Sequence, residues 1–106
     1  MSDIITNFAD ACDAAADVFE AIPGAWTRNE SARNERGRGV VSNDPTACCW
    51  CLGGAMKAQG QYWPGRLNAA AFSVGYVELT FANDIGGRKV AIQLLRLAAQ
   101  TARKAS

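Results

Sequence analysis

The chain has 106 residues, of which 49% are hydrophobic, so it has room for one small domain with one core. Eleven Lys and Arg stand against ten Asp and Glu, and the resulting net charge of +1 selects no partner by bulk charge. Histidine is absent, which excludes Ser-His-Asp and Cys-His catalysis as well as imidazole metal sites. We therefore expect a protein that is not an enzyme and that needs no cofactor.

The N-terminal sequence and the hydropathy pattern predict a cytoplasmic protein without a membrane partner. Residues 1–6 lack the basic and apolar regions of a signal peptide. The chain also lacks the roughly 18 consecutive apolar residues that a membrane-spanning helix needs.

The first predicted element is an amphipathic helix over residues 3–22, ended by Pro23 and Gly24. Its apolar residues recur every three or four positions, and its acidic residues fall on the opposite face. The inward-facing residues are expected to be Ile5, Phe8, Cys12, Ala15, Ala16, Phe19 and Ile22.

Residues 25–44 form a polar, arginine-rich segment. Asn34-Glu35-Arg36-Gly37 has the composition of a turn between two short extended pieces, at about 29–33 and 38–42. A short β-hairpin and local disorder both fit this composition.

A second helix is predicted over residues 45–59. Asp44 followed by Pro45 has the pattern of a capping residue and a first helical position. Small residues line one face of this helix, which suits a contact within the chain and a homodimer equally well. They are Ala47, Cys51, Gly54 and Ala58.

Two more helices are predicted over about 66–80 and 88–103. Their inward residues are expected to be Leu67, Ala70, Ala71, Val74 and Val77, and Ala91, Leu94, Leu95, Ala98 and Ala102. The predicted fold class is therefore mainly α. About four helices pack in one small domain over residues 1–106, with a short β-hairpin around residues 29–42.

Charge is divided unevenly along the chain. Residues 1–27 hold five acidic residues and no basic one, whereas residues 28–106 have a net charge of +6. The last predicted helix holds five basic residues, Arg88, Lys89, Arg96, Arg103 and Lys104. These side chains lie beside the acidic first helix, form a solvated face or, as an alternative function, bind nucleic acid together with the arginine-rich segment.

A second set of residues is the best candidate for a partner-binding surface. Arginine pairs with carboxylates through two parallel hydrogen bonds, and tryptophan buries a large area at low entropic cost. These residue types predict non-enzymatic binding of a protein with an acidic surface. The candidates are Trp26, Arg28, Arg33, Arg36, Arg38, Trp63 and Arg66.

Three of the four cysteines are close together, at Cys48, Cys49 and Cys51. The spacing of the outer two occurs in zinc and iron–sulfur sites, but a second such pair is missing and the three residues fall inside a predicted helix. We therefore expect free thiols and no metal site.

Asn83 and Asp84 are adjacent residues that could be interpreted as a catalytic amide and carboxylate. The same side-chain oxygens also serve in turns and helix caps, where they accept hydrogen bonds from backbone N–H groups. We predict a turn over residues 83–87.

Three passages, taken in order, resemble a known family. They are Trp26-Thr27 followed by Ala32-Arg33, then Cys51-Leu52-Gly53-Gly54-Ala55, then Phe81-Ala82-Asn83-Asp84. Over about residues 5–100 the chain is similar to the domain-of-unknown-function family 6197, whose small members occur in phages, prophages and actinobacteria. The resemblance implies a small helical protein of mobile-element origin and carries over no catalytic residue. It also suggests a host or phage protein as the partner, with inhibition of a host defence protein, of the anti-CRISPR type, as the function.

Overall fold

The computed structural model describes residues 2–105, which form five α-helices and a small antiparallel sheet. Helix α1 spans Ser2–Ala21, and a single 3-10 turn, Pro23–Ala25, follows it. Helix α5 spans Arg88–Ala105 and makes its most extensive contact with α1. The helices predicted at the two ends of the chain are thus confirmed.

The arginine-rich segment is folded into a sheet rather than disordered. Strand β1, Ala32–Arg33, pairs antiparallel with β2, Gly39–Val40, which confirms the hairpin predicted around residues 29–42. A third strand, β3, Cys49–Trp50, pairs antiparallel with the other edge of β1. The strand order is therefore β2-β1-β3, with β1 in the centre.

The helix predicted over residues 45–59 is wrong in its first half. Helix α2 spans only Leu52–Ala58, because turns and strand β3 occupy the residues before it. Asp44 does not cap a helix. Its Oδ1 accepts hydrogen bonds from the backbone N–H and the hydroxyl of Thr46, at 2.8 and 2.6 Å, and so closes a local turn. The N-cap of α2 is Cys51.

The single helix predicted over residues 66–80 is also wrong, because two helices replace it. Helix α3 spans Pro64–Ser73, and α4 spans Leu79–Asp84. Gly75 has a φ of +98°, and the N–H groups of Gly75 and Tyr76 donate to carbonyl oxygens in the last turn of α3. This arrangement is a common helix terminus that favours glycine in the left-handed conformation.

Buried side chains from all five helices meet in one core. The largest of them include Phe8, Phe19, Leu52, Met56, Leu67, Leu94 and Leu95. Two predicted core residues are wrong. Ile22 is 58% exposed because it follows the end of α1, and Val77 is 72% exposed because it lies between α3 and α4. Over residues 2–105, no helix combines the length and apolar character needed to cross a membrane.

Gly54 brings α2 against the chain that leads into β1. A Cβ atom at this position would lie 1.9 Å from the carbonyl oxygen of Ser31. The close approach therefore requires glycine, and this member of the predicted small-residue face serves a contact within the chain.

Candidate interaction surface

The connection between β1 and β2 displays two arginines on a closed turn, residues 34–38, which we call the arginine turn. Asn34 N–H donates to the carbonyl oxygen of Arg38 at 3.0 Å, and Asn34 Oδ1 accepts the N–H groups of Arg36 and Arg38. Gly37, at φ +78°, donates to Asn34 O at 2.9 Å. This is a three-residue hairpin loop with a left-handed glycine. The exposed Arg36 and Arg38 side chains therefore project from a backbone that several hydrogen bonds within the turn hold in place.

The Arg33 side chain ties the arginine turn to the chain that precedes the sheet. Its Nε donates to Thr27 Oγ1, and its two terminal nitrogens donate to the carbonyl oxygens of Gly37 and Arg28, all at 3.0 Å. The planar guanidinium suits this task because its donors point in fixed, divergent directions. Arg33 was predicted to bind a partner. In the structure its guanidinium makes hydrogen bonds within the chain and so positions the arginine turn.

Trp26 is half-buried, and Arg28 lies over its ring with Cζ 5.1 Å from the ring centroid. The indole Nε1 donates to Asn83 Oδ1 at 2.7 Å, so the polar edge of the ring points into the protein. Arg33 links the carbonyl oxygen of Arg28 to that of Gly37. The exposed Arg28 therefore lies on the same part of the molecule as the arginine turn.

Trp63 and Arg66 belong to a different stack. The Trp63 ring packs on Phe8 of α1 with the centroids 5.3 Å apart, and Arg66 Cζ lies 5.2 Å from the Trp63 centroid. These contacts hold the start of α3 against α1. Trp63 and Arg66, two of the predicted partner-binding residues, therefore pack against the helices. The other five lie around the sheet and are Trp26, Arg28, Arg33, Arg36 and Arg38.

The basic residues of α5 face the acidic residues of α1. The ion pairs join Arg96 to Asp13, Asp17 and Glu20, and Arg103 to Asp10 and Asp13. Arg88 donates to the carbonyl oxygen of Phe19 at 2.9 Å, whereas Lys89 and Lys104 are exposed. Three of the five residues considered for nucleic-acid binding therefore make contacts with α1.

Asp13 lies at the centre of this charged seam between α1 and α5. Burial raises the pKa of its carboxyl group, but hydrogen bonds from Arg103 and Arg96 outweigh this effect and hold the pKa below its ordinary value of 3.8. The hydrogen bonds that Arg96 donates to Glu20, Asp17 and Asp13 in turn hold the pKa of its guanidinium above the ordinary value. The seam is therefore charged at neutral pH.

The three passages that carry the family resemblance meet at Asn83, whose side chain is 1% exposed. Its Oδ1 accepts hydrogen bonds from Trp26 Nε1 at 2.7 Å and Leu52 N–H at 3.0 Å. Its Nδ2 donates to Thr27 O at 3.1 Å and Asp84 Oδ1 at 2.9 Å. The turn predicted over residues 83–87 is present but begins at Ile85, because Asn83 and Asp84 belong to α4. Asn83 there joins three distant segments, a contact that the sequence pattern did not predict.

Two of the hollows beside the sheet share part of their lining. An open groove of about 830 Å³ follows β2 and is lined by Glu30, Ser31, Lys57 and residues 39–44. A cleft of about 230 Å³ shares the first three of these residues and reaches Cys51 and Asp84. Both hollows carry side chains of opposite charge, so neither adds to the positive charge of the arginine turn.

The four cysteines lie in three environments. Cys12 is in the core, where burial raises its pKa to about 12. Cys51 Sγ accepts the N–H of Gly54 at 3.2 Å, and desolvation raises the pKa of its thiol. Cys48 and Cys49 lie at the start of β3, so their predicted place in a helix is wrong. Within the part of the chain that the structure describes, no group of three or more Cys, Asp and Glu side chains is arranged to hold a metal ion.

The comparisons with known proteins give no information about function, so the functional proposal rests on the geometry of the interaction surface. A scan against protein-family models, a search of curated proteins and a search of solved structures each found no match to this chain. The family resemblance drawn from the three passages therefore stays a prediction.

Proposed function

We propose that this protein is a non-enzymatic, cytoplasmic binding module whose arginine turn and Arg28 contact an acidic surface of a protein partner. The observation that carries the proposal is the set of three hydrogen bonds from Arg33, which fix the backbone that displays Arg36 and Arg38. A binding loop that is ordered before it meets its partner loses less conformational entropy on association.

The distribution of charge supports an acidic partner. On α5, Arg96 and Arg103 are neutralised by carboxylates of α1, whereas Arg28, Arg36 and Arg38 are exposed around the sheet. An arginine guanidinium offers a carboxylate two parallel hydrogen bonds, and charged groups of this kind set the orientation and rate of association.

The proposal also states which kind of protein the partner is. The resemblance to a mobile-element family supports a host or phage protein, with the module acting in counter-defence as an anti-CRISPR-type inhibitor of a host defence protein. Nucleic-acid binding by the same arginines is the alternative. Glu30 and Glu35 lie within the arginine-rich segment and weaken its attraction for a phosphate backbone.

The test compares charge-reversed variants of the tagged protein in capture from host lysate, with and without nuclease. Arg36→Glu combined with Arg38→Glu places like charges opposite an acidic partner. We expect this variant to retain the partner about tenfold less well than the unchanged protein. Quantitative mass spectrometry of the retained proteins measures the difference.

The matched control is Lys89→Glu combined with Lys104→Glu, which makes the same change in net charge at exposed positions of α5. This control is expected to retain the partner fully. Equal retention by both double variants would contradict the proposal. Retention that disappears with nuclease and falls steeply with salt would establish the nucleic-acid alternative instead.

A further inference from the structure

Strand β3 begins with a bulge that presents two adjacent thiols. The N–H of Cys48 donates to the carbonyl oxygen of Arg33 at 2.9 Å, while Cys49 is the register partner of the same residue. Cys48, just before β3, and Cys49, its first residue, thus both lie opposite Arg33 of β1, which is the arrangement of a β-bulge. In a regular strand successive side chains point to opposite faces, but a bulge interrupts that alternation.

Both sulfur atoms converge on one point. Cys48 Sγ lies 3.6 Å and Cys49 Sγ 3.9 Å from the carbonyl oxygen of Arg33. Cys48 is exposed and Cys49 is half-exposed, so the pair is open to solvent.

We propose that Cys48 and Cys49 form a two-thiol site that chelates a soft, thiophilic ion of the class to which trivalent arsenic belongs. Thiolate sulfur is the ligand that soft ions prefer. Once one sulfur has bound, the second sulfur acts within the same molecule at a high effective concentration, so the chelate is far tighter than a complex with one thiol. Binding displaces both thiol protons.

The other two cysteines serve different purposes. Cys12 is fully buried in the core, and the sulfur of Cys51 is engaged by the N–H of Gly54 at the start of α2. Substitution of Cys51 by serine keeps a capping side chain, because serine is among the preferred N-cap residues. Cys51→Ser is therefore a control that removes one neighbouring thiol and leaves the proposed pair in place.

The probe is phenylarsine oxide, added in equimolar amount to the reduced, full-length protein. Two As–S bonds form, the arsenic–oxygen bond breaks, and the oxygen leaves with both thiol protons as one water molecule, with no change in oxidation state. Intact-mass spectrometry of the folded protein measures the adduct. A millimolar monothiol then competes for the arsenic, followed by a dithiol such as 2,3-dimercaptopropanol.

We expect one arsenical per chain, retained against the monothiol and released by the dithiol. Cys48→Ser and Cys49→Ser should each lower the apparent affinity by about a hundredfold or more, because each leaves one sulfur at the site. Cys51→Ser should behave as the unchanged protein. Release by the monothiol, or loss of the adduct in Cys51→Ser with retention in Cys48→Ser, would overturn the proposal. Far-UV circular dichroism confirms that each variant is folded.

Discussion

Asn83 shows how one side chain joins segments that are distant in sequence. Its hydrogen-bond partner Trp26 lies 57 residues away, and Leu52 lies 31 residues away. A buried polar side chain is tolerated only when its donors and acceptors are paired, and Asn83 has four contacts that meet this condition. The residue thereby fixes the start of α2 and the end of the 3-10 turn to α4.

We expect Asn83→Ala to lower the free energy of unfolding by about 3 kcal/mol, because Trp26 Nε1, Leu52 N–H and Thr27 O, all buried or partly buried, lose their partner at once. The control is Asn68→Ala, which removes a single acceptor from Leu79 N–H and should cost about 1 kcal/mol. Urea unfolding followed by far-UV circular dichroism measures both losses. Similar losses in the two variants would show that Asn83 does not join the segments energetically.

At the scale of elements, the contact between α1 and α5 combines an alanine-rich apolar interface with the charged seam around Asp13. Both helices carry buried alanines, among them Ala16, Ala91 and Ala98, and such small side chains let neighbouring helices approach closely. Arg96 and Arg103 then reach across the edge of the interface to the carboxylates of α1. Exposed ion pairs contribute little singly, but Asp13 is shared by two arginines and lies in a network.

The lowered pKa of Asp13 makes this seam sensitive to acid. A carboxyl group whose pKa is lower in the folded state contributes its full stability above the ordinary value of 3.8 and loses it as the pH falls through the lowered pKa. Asp13→Asn should therefore be less stable than the unchanged protein by about 1 kcal/mol at neutral pH, with the difference shrinking as the pH falls below 3.8. Urea unfolding across this pH range measures it.

The control for this prediction is Glu35→Gln, which removes one negative charge from an exposed position of the arginine turn. It should change stability by much less than Asp13→Asn at neutral pH. A stability difference for Asp13→Asn that stays constant from neutral to acid pH would contradict the assignment, because the effect would then come from packing and not from ionisation.

Periodicity predicted α1 and α5 because each long helix turns one apolar face to the core over several turns. The hairpin followed from local turn chemistry, since Gly37 supplies the left-handed conformation that the loop needs. Sequence reasoning failed where one local signal fits two structures. Asp44 before Pro45 suits a helix start, but its carboxylate binds Thr46 in a turn, and pairing with β1 draws Cys49–Trp50 into the sheet.

The candidate surface was predicted in part. Arginine content alone marked residues 28–38, and the structure displays Arg36 and Arg38 there. The positioning role of Arg33 could not be predicted, because it depends on where Thr27 and the Gly37 carbonyl lie after folding. Trp63 shows the opposite case. Tryptophan is a residue type that suits an interface, but the ring of Trp63 packs against Phe8 of α1.

At the scale of the whole molecule, the sheet has little apolar area of its own and depends on the helices for its stability. Its strands have two residues each, and such small sheets are marginal unless they pack against a core. Three contacts provide that support: the bridge between Trp26 and Trp50, the close approach at Gly54, and the hydrogen bonds of Asn83. Because these contacts link the sheet to α2 and α4, we expect the sheet and the helices to unfold together.

The three tryptophans allow a direct test of this cooperativity. A variant with Trp26→Phe and Trp63→Phe keeps only Trp50 in β3, so its fluorescence reports the sheet while far-UV circular dichroism reports the helices. Both signals should give the same urea midpoint, as a single cooperative transition requires. Comparison within one variant makes the result independent of any stability lost by the substitutions. Adding Asn83→Ala should separate the two midpoints, with the sheet unfolding first, because the hydrogen bonds from Asn83 of α4 to Thr27 and Leu52, which flank the sheet in the chain, are then also lost. Coincident midpoints in that triple variant would show instead that Gly54 and the pairing with Trp50 suffice to hold the sheet to the helices.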